Sequence, residues 1–132
     1  VALFPHRRYF QNVMAGMAFL RERAPEILDQ VVRYTDAIYY DDDADAPYNG
    51  LAHRESTGET VMWLFPAAFE YPDPAGWALL VYHESLHLRD YRDHAKLPTK
   101  LEAYDPPHLW VYPAVADLAR QIAPQYVERN ER

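Results

Sequence analysis

Residues 82–94 read Tyr-His-Glu-Ser-Leu-His-Leu-Arg-Asp-Tyr-Arg-Asp-His, and residues 83–87 within them form the pattern His-Glu-x-x-His. On an α-helix, residues four apart are separated by roughly 40° around the axis and about 6 Å along it, so His83 and His87 can reach one metal ion. Glu84 then lies beside that ion without binding it. The pattern suits metal-assisted hydrolysis, in which two neutral imidazoles hold Zn²⁺ and a carboxylate takes the proton of the attacking water.

The residues before this pattern favour a helix that carries it. Asp73 and Pro74 are typical of a helix cap and first turn, and residues 75–82 are almost wholly apolar. A helix this apolar must bury its two histidines and Glu84, or line a cleft with them. The alternative to a metal site is a pair of hydrogen-bonded core histidines with Glu84 as their partner.

Length and composition fit a single domain that spans residues 1–132. The chain is 49% hydrophobic and 14% aromatic, which is enough to fill one core. A net charge of −7 and the absence of any basic cluster beyond Arg7-Arg8 argue against a nucleic-acid partner. The chain has no cysteine, which excludes disulfides and Cys-ligated zinc, and no apolar run reaches the length of a membrane span. We therefore expect a peptide or protein substrate and no membrane partner, and the compartment and oligomeric state stay open.

The rest of the chain predicts an α+β fold with backing helices, a small sheet of about three strands and C-terminal helices. The sheet is expected to be antiparallel at least in part, because two of its strands form a hairpin across Ser56-Thr57-Gly58. The predicted helices are 6–23, 26–34 and about 113–122, and the predicted strands are 37–40, 51–55 and 59–65. The apolar stripe of the first helix is predicted to be Phe10, Val13, Met14, Met17 and Leu20, and that of the last helix Val115, Leu118 and Ile122.

An acidic loop, Asp41-Asp42-Asp43-Ala44-Asp45, follows the first predicted strand. Alternating aspartates are typical of calcium loops of the EF-hand type. The pattern fails here because Ala46 stands where glycine is required and Ala52 where a bidentate glutamate is required. We interpret the loop as a solvated acidic surface.

The His-Glu-x-x-His helix after backing helices and a small sheet, with a Glu farther on, resembles the zincin metallopeptidases. Within them it is similar to the gluzincins, and the chain length matches the single-domain minigluzincins. The specific likeness covers residues 83–87 and, more loosely, Glu102-Ala103-Tyr104-Asp105. The resemblance implies a zinc peptidase in which His83, His87 and Glu102 bind Zn²⁺ and Glu84 is the general base.

The residues themselves leave the third ligand open. A catalytic zinc site usually has three protein ligands, so a further side chain is needed after the two histidines. Glu102 also fits a capping box with Thr99, in which it would bind backbone instead of metal. The candidates are Glu102, Asp90, Asp93, His94, Asp105 and His108. Candidate donors to the developing oxyanion are Tyr91, Tyr104, Tyr112 and His108.

Two other interpretations stay open, and a third does not fit. The metzincin pattern fails because Asp90 and Asp93 stand where it needs Gly and His. Residues 86–94 are similar to the signature of the zinc-dependent endoribonucleases of ribosomal RNA maturation, with an insertion and without the Gly. A zincin-like domain that binds metal or a partner without peptidase activity is the remaining alternative.

Overall fold

The computed structural model describes residues 2–3, 7–93 and 108–128, with side chains for residues 7–93 and 111–128. Helices and strands form an α+β fold, which confirms the predicted class. In chain order the elements are β1 (Ala2–Leu3), α1 (Arg7–Arg23), α2 (Pro25–Tyr34), β2 (Ala37–Tyr40), β3 (Gly50–Arg54), β4 (Thr60–Leu64), α3 (Pro74–Asp93) and α4 (His108–Ile122). Single 3₁₀ turns follow β4 and α4, at Pro66–Glu70 and Pro124–Tyr126.

The strands form a mixed sheet in the order β1-β2-β4-β3. Strands β1, β2 and β4 are parallel, and β3 is antiparallel to β4. The three predicted strands and the hairpin are therefore confirmed, with ends within one residue of those expected. The short β1 was not predicted, because two residues are too few to show the alternation of apolar and polar side chains that indicates a strand.

The hairpin register decides which backbone groups of β3 face outward. Phe65 N–H donates to the Asn49 carbonyl at 3.1 Å, and Glu55 N–H donates to the Glu59 carbonyl at 2.7 Å. Residues 49 and 55 are therefore hydrogen-bonded to the residues opposite them. Along an antiparallel ladder, hydrogen-bonded pairs alternate with pairs that are not hydrogen-bonded. The N–H and C=O groups of Gly50, Ala52 and Arg54 consequently point away from β4, along the edge of the sheet.

Helix α3 lies at the centre of the molecule and contacts α1, α2, α4, β3 and β4. Its start is fixed by Asp73, whose carboxylate accepts the N–H of Gly76 at 2.9 Å and the hydroxyl of Tyr126 at 2.8 Å. Trp77, Val81 and Leu88 of α3 are fully enclosed by the core, together with Ile38, Met62 and Leu64 of the sheet. The apolar stretch of this helix, residues 75–82, is buried throughout, as the sequence indicated.

The predicted apolar stripe of α1 was wrong in part. Phe10 and Met14 are exposed, at 39% and 43%, while the buried residues are Tyr9, Val13, Gly16, Met17 and Leu20. The buried face turns toward Gly16 because a glycine lets two helices approach closely. A Cβ at Gly16 would lie 2.9 Å from the backbone nitrogen of Ala78 in α3.

The predicted start of the last helix was also wrong. Helix α4 begins at His108, five residues before the expected start, and includes Pro113. An internal proline removes one helical hydrogen bond. The helix is nevertheless packed on the core before this proline, since Val111 is fully buried. The predicted stripe Val115, Leu118 and Ile122 is buried, which confirms the face.

The acidic loop lies on the surface, with Asp41 to Asp45 all exposed. Two local bonds fold it: Asp43 N–H donates to the Asp41 carboxylate at 2.9 Å, and Asp45 N–H to the Asp43 carboxylate at 3.0 Å. Within the described ranges, the helices are too short or too polar to span a bilayer.

Candidate metal centre

The two histidines of the pattern face each other on α3. Their Nε2 atoms lie 3.3 Å apart, and their ring centroids are separated by 5.1 Å. The separation suits a hydrogen bond between one protonated and one unprotonated ring nitrogen. It also suits two ligands of one metal ion, because two Zn–N bonds of about 2.0–2.1 Å at a tetrahedral angle place their nitrogens roughly 3.3–3.4 Å apart.

Glu84 lies beside the pair in a buried position, with 5% of its surface exposed. One carboxylate oxygen, Oε1, is 3.8 Å from Nε2 of His83. Burial raises the pKa of the Glu84 carboxyl to about 8, and the backbone N–H of Ala52, which it accepts, lowers this pKa in part. A carboxyl with this pKa exchanges its proton near neutral pH, which is what acid and base chemistry needs.

Strand β3 is the second wall of the site, through Gly50 and Ala52, which the sequence did not single out. Ala52 supplies its outward N–H to Glu84. A Cβ at Gly50 would lie 3.1 Å from Cγ and 3.3 Å from Cδ of Glu84, so glycine lets the strand approach the carboxylate. The one available signal was an isolated glycine at the start of a strand, which often marks a close approach of backbone.

Tyr112 of α4 closes the other side of His83. The two rings lie edge to face, with centroids 5.3 Å apart. The structure thus brings one of the predicted oxyanion donors to the site. Tyr91, another predicted oxyanion donor, lies on α3 and is half-buried. Its carbonyl accepts a hydrogen bond from the Arg54 guanidinium at 3.3 Å.

Two of the alternative third ligands lie on α3 within the described residues. Asp90 is buried, with Nε of Arg89 3.9 Å from its carboxylate. Asp93 is exposed and accepts the hydroxyl of Tyr34, on α2, at 3.1 Å. Among the residues that the structure describes, no three His, Cys, Asp or Glu side chains come together as a metal-binding group.

The other candidate ligands lie farther along the chain. Glu102, His94 and Asp105 lie outside the described residues, and so does the side chain of His108. The assignment of Glu102 as third ligand therefore stays a prediction.

The C-terminal end of α3 is anchored to the sheet by Arg92. Its guanidinium donates to the Arg33 carbonyl, to the Thr60 hydroxyl and to the Asp36 carboxylate, the last at 3.1 Å. The same Asp36 carboxylate accepts Thr60 N–H at 2.9 Å, and the Thr60 hydroxyl donates to the Tyr34 carbonyl at 2.6 Å. This cluster fixes the helix that carries the site relative to β2 and β4.

In comparisons with family models, curated proteins and solved structures, no match to the chain was found.

Proposed function

We propose that this chain is a zinc-dependent metallopeptidase with a zincin-like fold of the gluzincin type. The observation that supports it is the 3.3 Å separation of the His83 and His87 Nε2 atoms, beside a buried carboxylate. The separation equals the value of about 3.3–3.4 Å that a tetrahedral zinc ion imposes on two nitrogen ligands. The donor types agree as well, since imidazole nitrogen and carboxylate oxygen are the usual ligands of catalytic zinc.

The ligand set that we propose is His83, His87 and Glu102. When bound, Zn²⁺ supplies a Lewis acid that makes water more acidic and polarises the substrate carbonyl. Tyr112, in edge-to-face contact with His83, restricts how that imidazole can turn. Helix α3 is enclosed by other elements, so its backbone holds both histidines in a fixed relation.

Glu84 moves the proton in this proposal. As water adds to the carbonyl carbon of a peptide bond, the Glu84 carboxylate accepts a proton from that water. It then passes the proton to the amide nitrogen, and the carbon–nitrogen bond breaks to release the amine and the acid. Such transfers contribute about 10²–10⁴ to the rate.

A second candidate is a zincin-like domain that binds metal or a partner but does not cleave peptides. It is favoured by the burial of Glu84, which is covered by β3 on one side. A carboxylate so enclosed leaves little room for a folded substrate.

One experiment on the full chain separates the two candidates. Zinc content and cleavage of a fluorogenic peptide library are measured for the wild type, for Glu84→Gln and for the control Glu59→Gln, an exposed residue of the hairpin turn. We expect stoichiometric zinc in all three proteins, and a rate in Glu84→Gln that is lower by about 10² or more.

Two results would count against the peptidase. Stoichiometric zinc without cleavage in any of the three proteins supports the second candidate. Failure of the wild type to bind zinc would instead support a plain hydrogen bond between the histidines.

A further inference from the structure

The outer edge of β3 reaches Glu84 with its main chain. From the hairpin register, the N–H and C=O of Ala52 point away from β4. The Ala52 N–H is the group that the Glu84 carboxylate accepts. A backbone donor in a strand is held by the sheet, and it lacks the rotamer freedom of a side-chain donor.

Gly50, two residues before Ala52 on the same face of β3, lets the strand lie this close to Glu84. A Cβ at this position would lie 3.1 Å from Cγ of Glu84, 3.2 Å from Cδ1 of Leu80 and 3.3 Å from Cδ of Glu84. Carbon atoms in ordinary contact lie about 3.5–4.0 Å apart, so any larger residue would push the carboxylate away from the strand. Two separate observations, a hydrogen bond and a close contact, therefore join β3 to the same side chain.

We propose that Ala52 and Gly50 are positioning residues for Glu84: the edge of β3 fixes its carboxylate beside His83. The proposal rests on the proposed function for its catalytic meaning, since a fixed carboxylate matters only if Glu84 transfers a proton. The geometry agrees with it, because Oε1 of Glu84 lies 3.8 Å from Nε2 of His83. A displacement of about 1 Å at a reacting group can cost on the order of a hundredfold in rate.

The first test uses the metal-free full chain and needs no activity. Amide hydrogen exchange is measured by NMR for Ala52 in the wild type and in Glu84→Ala. We expect the Ala52 amide to exchange about tenfold or more faster in the variant, because its acceptor is gone. The amide of His53 faces β4 in the ladder, so its exchange rate should stay the same and serves as the internal control.

The second test measures the catalytic consequence. Ala52→Pro removes the N–H without removing a bond to β4, since that N–H points outward. We expect kcat to fall on the order of tenfold to a hundredfold, with zinc affinity and KM within about threefold of the wild type. His53→Ala, an exposed change on the same strand, is the control and should keep the wild-type kcat.

Gly50→Ala is the companion variant in case Ala52→Pro does not fold. It keeps every backbone donor and crowds Glu84 and Leu80, so we expect a several-fold lower kcat at unchanged zinc affinity. Equal exchange of the Ala52 amide in wild type and Glu84→Ala would overturn the proposal, whatever the enzyme does. A folded Ala52→Pro with wild-type kcat would overturn it too. If the wild type binds zinc and cleaves nothing, the proposed function fails while the exchange experiment still decides whether β3 holds Glu84.

Discussion

At the scale of single residues, Glu84 is a carboxyl group that water cannot solvate. Burial favours its neutral form and raises its pKa from the ordinary value of 4.5 to about 8. Between pH 4.5 and 8 the metal-free native protein therefore holds a proton here that the unfolded chain has released. Because the native state binds more protons, the free energy of unfolding falls as pH rises through this window.

This linkage gives a pH-dependent prediction for the metal-free protein. Glutamine does not ionise, so the free energy of unfolding of Glu84→Gln should rise relative to that of the wild type as the pH increases from 5 to 8. The expected gain is on the order of 3 kcal/mol. Urea unfolding of both proteins at several pH values, with a chelator present, measures it. Parallel pH profiles would show that Glu84 ionises in the native protein as it does in the unfolded chain.

Part of the site was predictable because it is local. His83, Glu84 and His87 belong to one helix, and helical spacing alone places their side chains together. Gly50 and Ala52 reach the site only through the register of a hairpin and the packing of its edge on α3, which no spacing in the sequence encodes. Glu102 depends on a chain path beyond the described residues, so spacing cannot assign it either.

At the scale of elements, the contact between α1 and α3 depends on Gly16. Alanine is the better helix former by about 1 kcal/mol, which alone would stabilise α1. A Cβ here would meet the backbone of Trp77 and Ala78 at 2.9–3.0 Å, so the two helices would have to separate. We expect Gly16→Ala to lower the free energy of unfolding by about 1–3 kcal/mol, measured by urea titration.

The control for Gly16 lies on the same helix. Met14 is exposed, so Met14→Ala should change stability by less than about 0.5 kcal/mol. A stable Gly16→Ala protein would mean that the helices can shift without loss of packing.

The Arg92 cluster gives a second prediction about elements, at the end of α3. Its guanidinium has four partners: the carbonyls of Arg33 and Tyr34 on α2, the carboxylate of Asp36 between α2 and β2, and the hydroxyl of Thr60 on β4. The Arg92→Ala change leaves the buried Thr60 hydroxyl with fewer bonds and frees the helix end. We expect a loss of about 1–3 kcal/mol in the free energy of unfolding, measured by urea titration.

Arg120→Ala is the matched control for Arg92. Arg120 and Asp117 form an ion pair at 2.6 Å, but both side chains are at least half exposed. Solvent screens such a pair, so its loss should cost less than about 0.5 kcal/mol. Equal losses in the two variants would show that Arg92 adds only a surface charge.

The errors of prediction at this scale have physical causes. Hairpin strands and the cap at Asp73 were predictable because turns and caps use particular residues. The stripe of α1 was not, since Phe10 and Met14 are as apolar as the residues that face the core. Which side is buried depends on how closely α3 approaches, and Gly16 decides that.

At the scale of the whole molecule, the proposed zinc site would link metal binding to folding. A ligand that binds only the native state at 100 times its Kd adds about 2.7 kcal/mol of stability. For a domain of this size, saturating zinc should raise the melting temperature by on the order of 10 °C. Thermal unfolding with and without zinc measures the shift, which His87→Ala should abolish. Calcium is the control cation, and a similar shift with calcium would point to the acidic loop instead.

The same assay tests the predicted third ligand. Glu102→Ala should lower zinc affinity by several orders of magnitude if Glu102 binds the ion. Unchanged affinity with a slightly lower melting temperature would show that Glu102 acts only in the predicted capping box with Thr99.

The edge of β3 also bears on how copies of this protein behave at high concentration. Outward amide groups on an edge strand are a template for pairing with another chain, and proteins often block them with an inward-pointing charge. Here the Ala52 amide is already taken by Glu84. Glu84, which we propose as the general base, thus also occupies one of the outward backbone donors of the edge strand. Substitutions of Glu84 are therefore expected to affect solubility as well as rate.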